Sequence, residues 1–532
     1  MKTRTLLLLF LAGLLAAGAA LWPSPTEAAA DDFARFVDDY FDAQFRARPS
    51  AGTEAGLHQY DGQLEDLSRA RIEARIAELK QLQARLTAFD RTRLSFDDAI
   101  DAQALEGDLL GTLQGLEILR TWETNPMAYV RVPGNGVDGL IKRDFAPAHD
   151  RLRSIVARLR AVPAVYAAAR TNVKNPPKEF TDLAIRMCKG SVGYFERTVP
   201  QWAKAAAGED AALFAEFEKA NAAVVKETRE LAAWLETDLL PRSKGSYAIG
   251  EANFLAKLKY DDMVELPLDA LLARGQAQLD KDHAAFIETA RRIDPAKTPA
   301  EVMKSLSDEH PTAEDLIPSI ERSVEDARRF LVEKDVVSIP SEVRPLIAET
   351  PPFARGGSFA SMDTPGPFEA KAKEAFYYVT PVEKDWDAKH QEEHLRLYNP
   401  SVVQMINVHE VWPGHYLQFL YAPRFPTKTR KLTFSGTNAE GWAHYTEQMM
   451  VDQGFGGGSP KIRLAQLQEA LLRDCRYVVG VKLHTKGMTV EEGAKLFVEM
   501  GFQEPANGFE EARRGAYNPT YLYYTLGKLE IQ

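Results

Sequence analysis

The periodicity of apolar residues in the first half of the chain constrains the fold more than any other feature. Ala, Leu, Glu, Arg and Lys dominate from about residue 31 to residue 241, and apolar residues recur every three or four positions. This spacing places apolar side chains on one face of an α-helix. We therefore expect amphipathic helices, with breaks where Pro and Gly gather at 132–136, 175–177 and 241–250. The same pattern predicts further helices over 265–293 and 299–333.

The second half changes character at a segment rich in proline and glycine. Residues 338–368 hold six prolines and three glycines, which is typical of an irregular crossing between two parts of a chain. Residues 375–380 then read Ala-Phe-Tyr-Tyr-Val-Thr, the clearest strand signal in the sequence. We expect a mainly α fold with one small sheet. Its single domain, residues 31–532, would comprise a helical scaffold (31–337), a loop-rich crossing (338–374) and a half that carries the chemistry (375–532).

Composition excludes several classes of protein. With 45% apolar and 27% charged residues among 532, the chain is neither intrinsically disordered nor a protein with many membrane spans. Its net charge of −11 argues against a nucleic-acid partner. Oligomeric state stays open.

The N-terminus has the pattern of a secretory signal peptide. Lys2 and Arg4 precede an apolar run over residues 6–22, and the small residues 28–30 follow it. We expect cleavage near Ala30, export to the periplasm or the medium, and no stable membrane span in the mature protein, because the apolar run is short for a bilayer. Since no cysteine follows the run, a lipid anchor is not expected.

The two cysteines, Cys188 and Cys475, are too few for a disulfide framework or a cysteine-based zinc cluster. We expect both to be buried apolar residues. Their separation in sequence leaves open whether they pair.

Histidines are concentrated in one segment, since five of the ten lie between His390 and His444. One candidate metal motif is His390-Gln-Glu-Glu-His394, whose i, i+4 spacing places both imidazoles on one face of a helix. Its surroundings, KDWDAKHQEEHLRLYNP, are strongly charged. We therefore interpret this pair as part of a solvated helix face.

A second candidate is His409-Glu410-Val-Trp-Pro413-Gly-His415. Six positions separate its histidines, which would place them on different faces of a regular helix. The preceding residues 402–408 are apolar, so we expect a helix that carries His409 and Glu410 into the core, where buried ionisable groups need a partner such as a metal ion. Because Pro413 removes a backbone donor, the helix is expected to kink there and bring His415 round to His409.

A third ligand should come from a neighbouring helix. Residues 437–447 read Thr-Asn-Ala-Glu-Gly-Trp-Ala-His-Tyr-Thr-Glu, with Asn438 as a possible helix cap. Glu440 is the preferred ligand, and Glu447, two turns further along the same face, is the alternative. Two histidines and one glutamate are a common ligand set of catalytic zinc sites. His444 stays unassigned.

These two motifs carry a family resemblance. HEVWPGHYLQF (409–419) and EGWAHYTEQMM (440–450) resemble the paired motifs of the bacterial DUF885 family, proteins with a domain of unknown function. That family is similar to the mostly helical, zincin-like metallopeptidases. The resemblance implies that His409, His415 and Glu440 bind Zn²⁺ and that Glu410 is the general base. It supplies no substrate.

Downstream segments extend the resemblance. It implies that His484 and Tyr524 donate hydrogen bonds to an oxyanion, with Tyr521 as an alternative to Tyr524. Each of these side chains could instead be a satisfied core residue. Arg513 or Arg514 could hold a substrate carboxylate, although EEARR also reads as a run of surface charges. Members of the family continue through further helices, so we expect that this chain, ending at Gln532, is truncated.

The sequence thus predicts an exported zinc metallohydrolase, best explained as a peptidase acting on peptides or small amides. Two alternatives stay open: an amidase or esterase with a non-peptide substrate, and a non-catalytic, metal-stabilised binding protein of the envelope. A peptide could pair with residues 376–379 by strand addition if that strand lies at a sheet edge.

Overall fold

The computed structural model describes residues 25–351, 355, 359–383 and 386–532. The predicted signal peptide, residues 1–30, lies largely outside this range, so its cleavage stays a prediction. In the part of the chain that is described, no helix is both long enough and apolar enough to cross a membrane.

Amphipathic helices build the first part of the molecule, as the periodicity predicts. They are α1 Pro25–Ala47, α2 Pro49–Glu54, α3 Arg69–Thr87, α4 Phe96–Leu113, α5 Thr121–Thr124, α6 Met127–Ile141, α7 Ala148–Asn172, α8 Lys178–Gly193, α9 Val199–Ala207, α10 Ala211–Trp234, α11 Glu251–Asp262, α12 Leu268–Ile293, α13 Pro299–Ser307 and α14 Leu316–Lys334. Wider π-type turns extend α4, α8 and α10 over 114–118, 194–198 and 235–239. The predicted breaks at 175–177 and 241–250 fall between helices, which confirms them.

The predicted break at 132–136 is wrong, because α6 continues through Pro133. Val130, Pro133 and Val137 are all buried on one face of this helix, and their burial offsets the hydrogen bond that proline removes. Gly136 also has a packing role, because a Cβ atom at this position would lie 2.6 Å from Cδ1 of Leu64. Two smaller differences are that α11 was not expected and that the helix predicted over 299–333 is divided into α13 and α14.

A three-stranded sheet lies in the middle of the chain. Its strands are β1 Leu346–Glu349, β2 Ala360–Asp363 and β3 Phe376–Val379. The order is β1-β3-β2, with β3 parallel to β1 and antiparallel to β2. The strand predicted at 375–380 is confirmed as β3, but the segment 338–374, expected to be irregular, supplies the other two strands. Because β3 is paired on both sides, the hypothesis that a peptide pairs with residues 376–379 is wrong.

Helices again dominate after the sheet. They are α15 Ala388–Arg396, α16 Pro400–Glu410, α17 His415–Tyr421, α18 Lys428–Leu432, α19 Gly436–Asp452, α20 Pro460–Thr485, α21 Val490–Glu499, α22 Pro505–Tyr517 and α23 Tyr523–Ile531. The fold is therefore mainly helical with one small sheet, as predicted. That sheet packs beside α16, where the hydroxyl of Tyr377 on β3 donates to Asn407 Oδ1 at 2.7 Å.

A close crossing of α19 and α23 depends on two glycines. A Cβ atom added to Gly441 would lie 2.4 Å from the Cα of Gly527, and one added to Gly527 would lie 1.9 Å from the carbonyl oxygen of Thr437. Side chains on both helices are therefore excluded at the crossing. The contact brings Tyr524 of α23 next to α19 and the histidines.

Both cysteines are buried, as predicted, and both are free thiols in the structure. Cys188 packs in the large core formed by α6 to α10, whereas Cys475 packs in a separate core around α12, α20 and α22. Burial raises the pKa of the Cys188 thiol to about 12. The protonated, apolar form of this side chain is therefore favoured.

Candidate metal centre

The end of α16 carries the first predicted ligand into the interior. Pro400 follows the capping Asn399, whose side chain accepts from the backbone N–H of Val402. Val402, Val403, Met405 and Val408 are buried, so the helix is anchored by its apolar face. His409 is 4% exposed, and Glu410 is the last residue of the helix.

A tight turn between α16 and α17 brings the two histidines together. The backbone N–H of Gly414 donates to Val408 O at 3.0 Å, and a Cβ at position 414 would lie only 1.7 Å from the carbonyl oxygen of His409. His415 begins the next helix, and its ring centroid lies 4.8 Å from that of His409. The predicted interruption of the helix between the histidines is confirmed.

Glu440 of α19 approaches both histidines. One oxygen, Oε2, lies 3.2 Å from Nε2 of His409 and 3.2 Å from Nε2 of His415. The side chain of Trp442 holds α19 against the turn, because its Nε1 donates to Pro413 O at 2.8 Å. The helix is capped by Ser435, whose hydroxyl accepts from the N–H of Asn438, so the interpretation of Asn438 as the cap is wrong. Among the described residues, His409, His415 and Glu440 form a group whose ligand atoms all lie within 4.8 Å of one another.

Glu447, the alternative ligand, lies behind His409. Its Oε1 is 2.7 Å from Nδ1 of His409, and its side chain has no exposed surface. A carboxylate oxygen can only accept, so Nδ1 donates its proton to Glu447, while Nε2 faces Glu440 and is the nitrogen that would bind a metal ion after losing its own proton. Such a carboxylate fixes the tautomer and orientation of a metal-binding histidine.

Arg473 of α20 completes this arrangement, and the sequence analysis missed it. Its guanidinium lies 3.1 Å from Glu447 Oε1 and 2.8 Å from Glu469 Oε2. His444, unassigned from sequence, contacts the second oxygen of Glu447 through Nδ1 at 3.4 Å. A signal for Arg473 exists in the sequence, because an arginine within the apolar part of α20 needs a buried partner.

The close packing of charged groups shifts the pKa values of His409 and Glu440. Burial and the charge of Arg473 lower the pKa of His409, but hydrogen bonds to Glu440 and Glu447 outweigh them and raise it to about 9. Burial opposes ionisation of Glu440, yet its contacts with His409 and His415 hold its pKa well below the usual range. The cluster therefore favours an ionised Glu440 and a cation beside it.

Glu410 stands apart from this network. Within the described residues, its carboxylate has no hydrogen-bond partner, although it follows His409 directly in α16. Burial raises its pKa, and the opposing charges of His415 and His409 do not cancel that effect. A carboxylate with a raised pKa and free lone pairs is suited to accept a proton.

Tyr524 of α23 lies at the edge of the cluster. Its ring centroid is 6.3 Å from that of His409, and its hydroxyl oxygen accepts from Arg514 Nη2 at 3.2 Å. The hydroxyl proton is therefore left to donate elsewhere. The hydroxyl of Tyr521 instead donates to Glu511, so its proton is already used in a hydrogen bond.

The structure does not bring His484 to this cluster. It lies in the last turn of α20, eleven residues beyond Arg473, and a helix rises 1.5 Å per residue, so about 16 Å separate them. Its Nε2 lies 2.9 Å from Gly515 O, and the side chain is buried. The prediction that His484 stabilises an oxyanion is not supported by its position, and it has the contacts of a core histidine.

The other histidine motif forms no such group. His390 is exposed and stacks on Trp386, with centroids 4.0 Å apart. His394, however, is 8% exposed, and its Nε2 lies 2.8 Å from Thr380 O. The interpretation of His394 as a surface residue is therefore wrong, because the helix turns this side chain against the end of β3.

Comparison with known proteins places the chain in a family. The model of DUF885, described as a bacterial protein of unknown function, matches residues 49–532. The chain belongs to the DUF885 family.

Two solved structures resemble this DUF885 protein over most of its length. One, a candidate lipoprotein of unknown function from Shewanella oneidensis, is 28% identical, covers 94% of this chain and 92% of its own, and has a TM-score of 0.77. The other, a candidate lipoprotein from Colwellia psychrerythraea, is 16% identical with the same coverage and TM-score, and it shows the fold alone. No curated protein matches the chain.

Proposed function

We propose that this protein is an exported, zinc-dependent hydrolase that cleaves peptide bonds. The observation that carries the proposal is the convergence of His409, His415 and Glu440, whose ligand atoms lie within 4.8 Å of one another. Export is supported by the pattern of residues 1–30 and by the description of the structural neighbour from Shewanella oneidensis as a candidate lipoprotein.

The donor set fits zinc. Two imidazole nitrogens and one carboxylate oxygen are a ligand set of catalytic zinc sites, in which a further position stays open. The carboxylate of Glu447 on Nδ1 of His409 is the partner that such a histidine uses. An exposed acidic cluster would not need this buried support. When bound, the ion would lower the pKa of a water ligand and polarise a carbonyl oxygen.

The chain's own residues supply the remaining chemistry. Glu410 would take a proton from the attacking water and deliver it to the leaving amine, which suits its raised pKa and its lack of a hydrogen-bond partner in the described residues. Tyr524 would donate a hydrogen bond from its hydroxyl to the substrate's carbonyl oxygen as negative charge develops there, and would keep its proton. Glu447 and Arg473 hold His409 and take no part in proton transfer.

The zincin-like fold belongs to the same proposal. It is supported by a helix that carries His409 and Glu410 beside a small sheet, together with a second helix that carries Glu440. Ligands fix where water is activated but not which acyl group is attacked, so amide and ester substrates belong in the test.

The test compares wild-type protein with Glu410→Gln. Both are loaded with zinc and assayed for metal content and for hydrolysis of pooled peptides, simple amides and esters. We expect equal zinc content and a loss of peptide hydrolysis of about 10²–10⁴-fold in Glu410→Gln, the usual contribution of a general base. Glu393→Gln, at an exposed position of α15, is the matched control and should retain full activity.

Three results would contradict the proposal. Zinc in both proteins with no substrate turned over by either would favour a metal-stabilised binding protein. Turnover of esters or simple amides alone would exclude peptides as substrates. Full activity in Glu410→Gln would exclude Glu410 as the base.

A further inference from the structure

Three arginines surround Tyr524. The guanidinium carbons of Arg473 and Arg476 lie 5.6 Å and 5.1 Å from the centroid of its ring. Arg514, on α22, donates to its hydroxyl oxygen at 3.2 Å and stacks over the ring of Tyr521, with its guanidinium carbon 5.2 Å from the centroid. This concentration of positive charge lies beside the proposed zinc site.

Two of the three arginines have carboxylate partners. Arg473 pairs with Glu447 and Glu469, and Arg476 binds both oxygens of Glu511, at 2.7 Å and 2.8 Å. Glu511 is further engaged, because it also accepts a hydrogen bond from the hydroxyl of Tyr521.

Arg514 is the exception. Among the described residues it has no carboxylate oxygen within 4.0 Å, and it interacts with Glu511 only over a longer distance, although it is only partly exposed. Its neighbour Arg513 pairs with Glu510 at 3.1 Å. A partly buried guanidinium without a directly hydrogen-bonded carboxylate is costly, and its planar set of donors matches an anion with two oxygens. The structure thus distinguishes Arg514 from Arg513 as the candidate for binding an anion, which the sequence alone did not.

The position of Arg514 limits what that anion can be. Its Nη2 is bonded to the hydroxyl of Tyr524, whose ring lies 6.3 Å from that of His409, so at most about 12 Å separate the guanidinium from the histidine ring. An extended peptide covers ~3.5 Å per residue. A group held by Arg514 is therefore within roughly three residues of a carbonyl group beside the histidines.

We propose that Arg514 binds the C-terminal carboxylate of a peptide substrate, so that the enzyme removes one to three residues from a free C-terminus. The inference rests on the proposed function for the cleavage step but not for the binding step. Arg514 would act on substrate selection, whereas Glu410 would act on the chemical step.

Binding can be tested without metal. Isothermal titration of the metal-free, full-length protein would use two pools of N-acetylated tripeptides, identical except for a free carboxylate or an amide at the C-terminus. We expect wild type to bind the acid pool at least about tenfold more tightly, as charge-assisted hydrogen bonds imply. Arg514→Gln should remove this preference, Arg514→Lys should keep part of it, and the matched control Arg513→Gln should keep all of it.

Cleavage is then tested with the zinc-loaded protein and the same pools extended to six residues, with products identified by mass spectrometry. We expect cuts within three residues of a free C-terminus, weak turnover of amidated peptides, and no acid preference in Arg514→Gln.

The two proposals fail in different ways. Acid-selective binding that depends on Arg514, without any turnover, would retain the carboxylate site and reject the peptidase. Equal affinity for the two pools, no binding of either, a preference that survives Arg514→Gln, or cleavage remote from the C-terminus would overturn the carboxylate site.

Discussion

Two histidine-bearing regions lie close together in the sequence but have different surroundings. Helix α15 places His390 and His394 four residues apart, the ideal spacing for one face of a helix, yet one side chain stacks on Trp386 and the other contacts Thr380 O. The turn between α16 and α17 places His409 and His415 six residues apart, and both reach the same oxygen of Glu440. Spacing along one helix is therefore a weaker guide to a metal site than a carboxylate supplied by another helix.

The second difference between the two regions is whether a buried carboxylate contacts the histidine ring. His409 is supported by the buried Glu447, which is itself held by Arg473. Among the described residues no carboxylate pairs with His390 or His394, and Glu392, which lies between them, instead contacts His310 at 3.0 Å with its side chain 46% exposed. A solvated pair of this kind contributes little, whereas a buried carboxylate can fix a tautomer.

The largest expected effect follows from removing the histidines themselves. His409→Ala or His415→Ala should lose stoichiometric zinc, because each removes a proposed ligand, while His390→Ala and His394→Ala should retain it. Metal content of purified, refolded protein by mass spectrometry checks this, with far-UV circular dichroism as the control for folding. Loss of zinc from His390→Ala and His394→Ala, with zinc retained in His409→Ala and His415→Ala, would place the metal site in α15 instead.

An intermediate effect is expected at the supporting carboxylate. Glu447→Gln should weaken zinc binding by roughly 10–100-fold, because the partner that orients Nδ1 of His409 loses its charge. Glu392→Gln removes a carboxylate from the partly exposed pair with His310 and should leave zinc affinity unchanged. Competition with a chromophoric chelator measures both. Equal affinity in Glu447→Gln and wild type would contradict the role given to Glu447.

The smallest effect concerns pH and separates a core histidine from a ligand. Burial lowers the pKa of His394, so the folded state binds its proton less readily than the unfolded state does. Stability from this residue is therefore present above the unfolded pKa of about 6.5 and is lost as pH falls below it.

The check is urea unfolding of wild type and His394→Gln between pH 5 and pH 8. Wild type should lose stability relative to the variant on acidification, with a slope no steeper than about 1.4 kcal/mol per pH unit, the limit for one proton. A relative gain of stability at low pH would mean that His394 is charged in the folded protein.

Sequence patterns predicted the helices and β3 well because both depend on local periodicity. They failed at Pro133, where tertiary burial outweighs the missing hydrogen bond, and in residues 346–349 and 360–363, whose strands form by pairing with β3. The convergence of His409, His415 and Glu440 was predictable because a buried ionisable residue needs a partner. The pairing of Arg473 with Glu447 and the difference between Arg513 and Arg514 were not predictable, since they depend on which helices face each other.

The central claim is that His409, His415 and Glu440 hold one zinc ion. Anomalous diffraction from zinc-treated crystals, recorded on both sides of the zinc absorption edge, tests it most directly. We predict a single strong peak about 2.0–2.2 Å from Nε2 of His409, Nε2 of His415 and a carboxylate oxygen of Glu440. A peak beside His390 and His394, or none near Glu440, would contradict the claim.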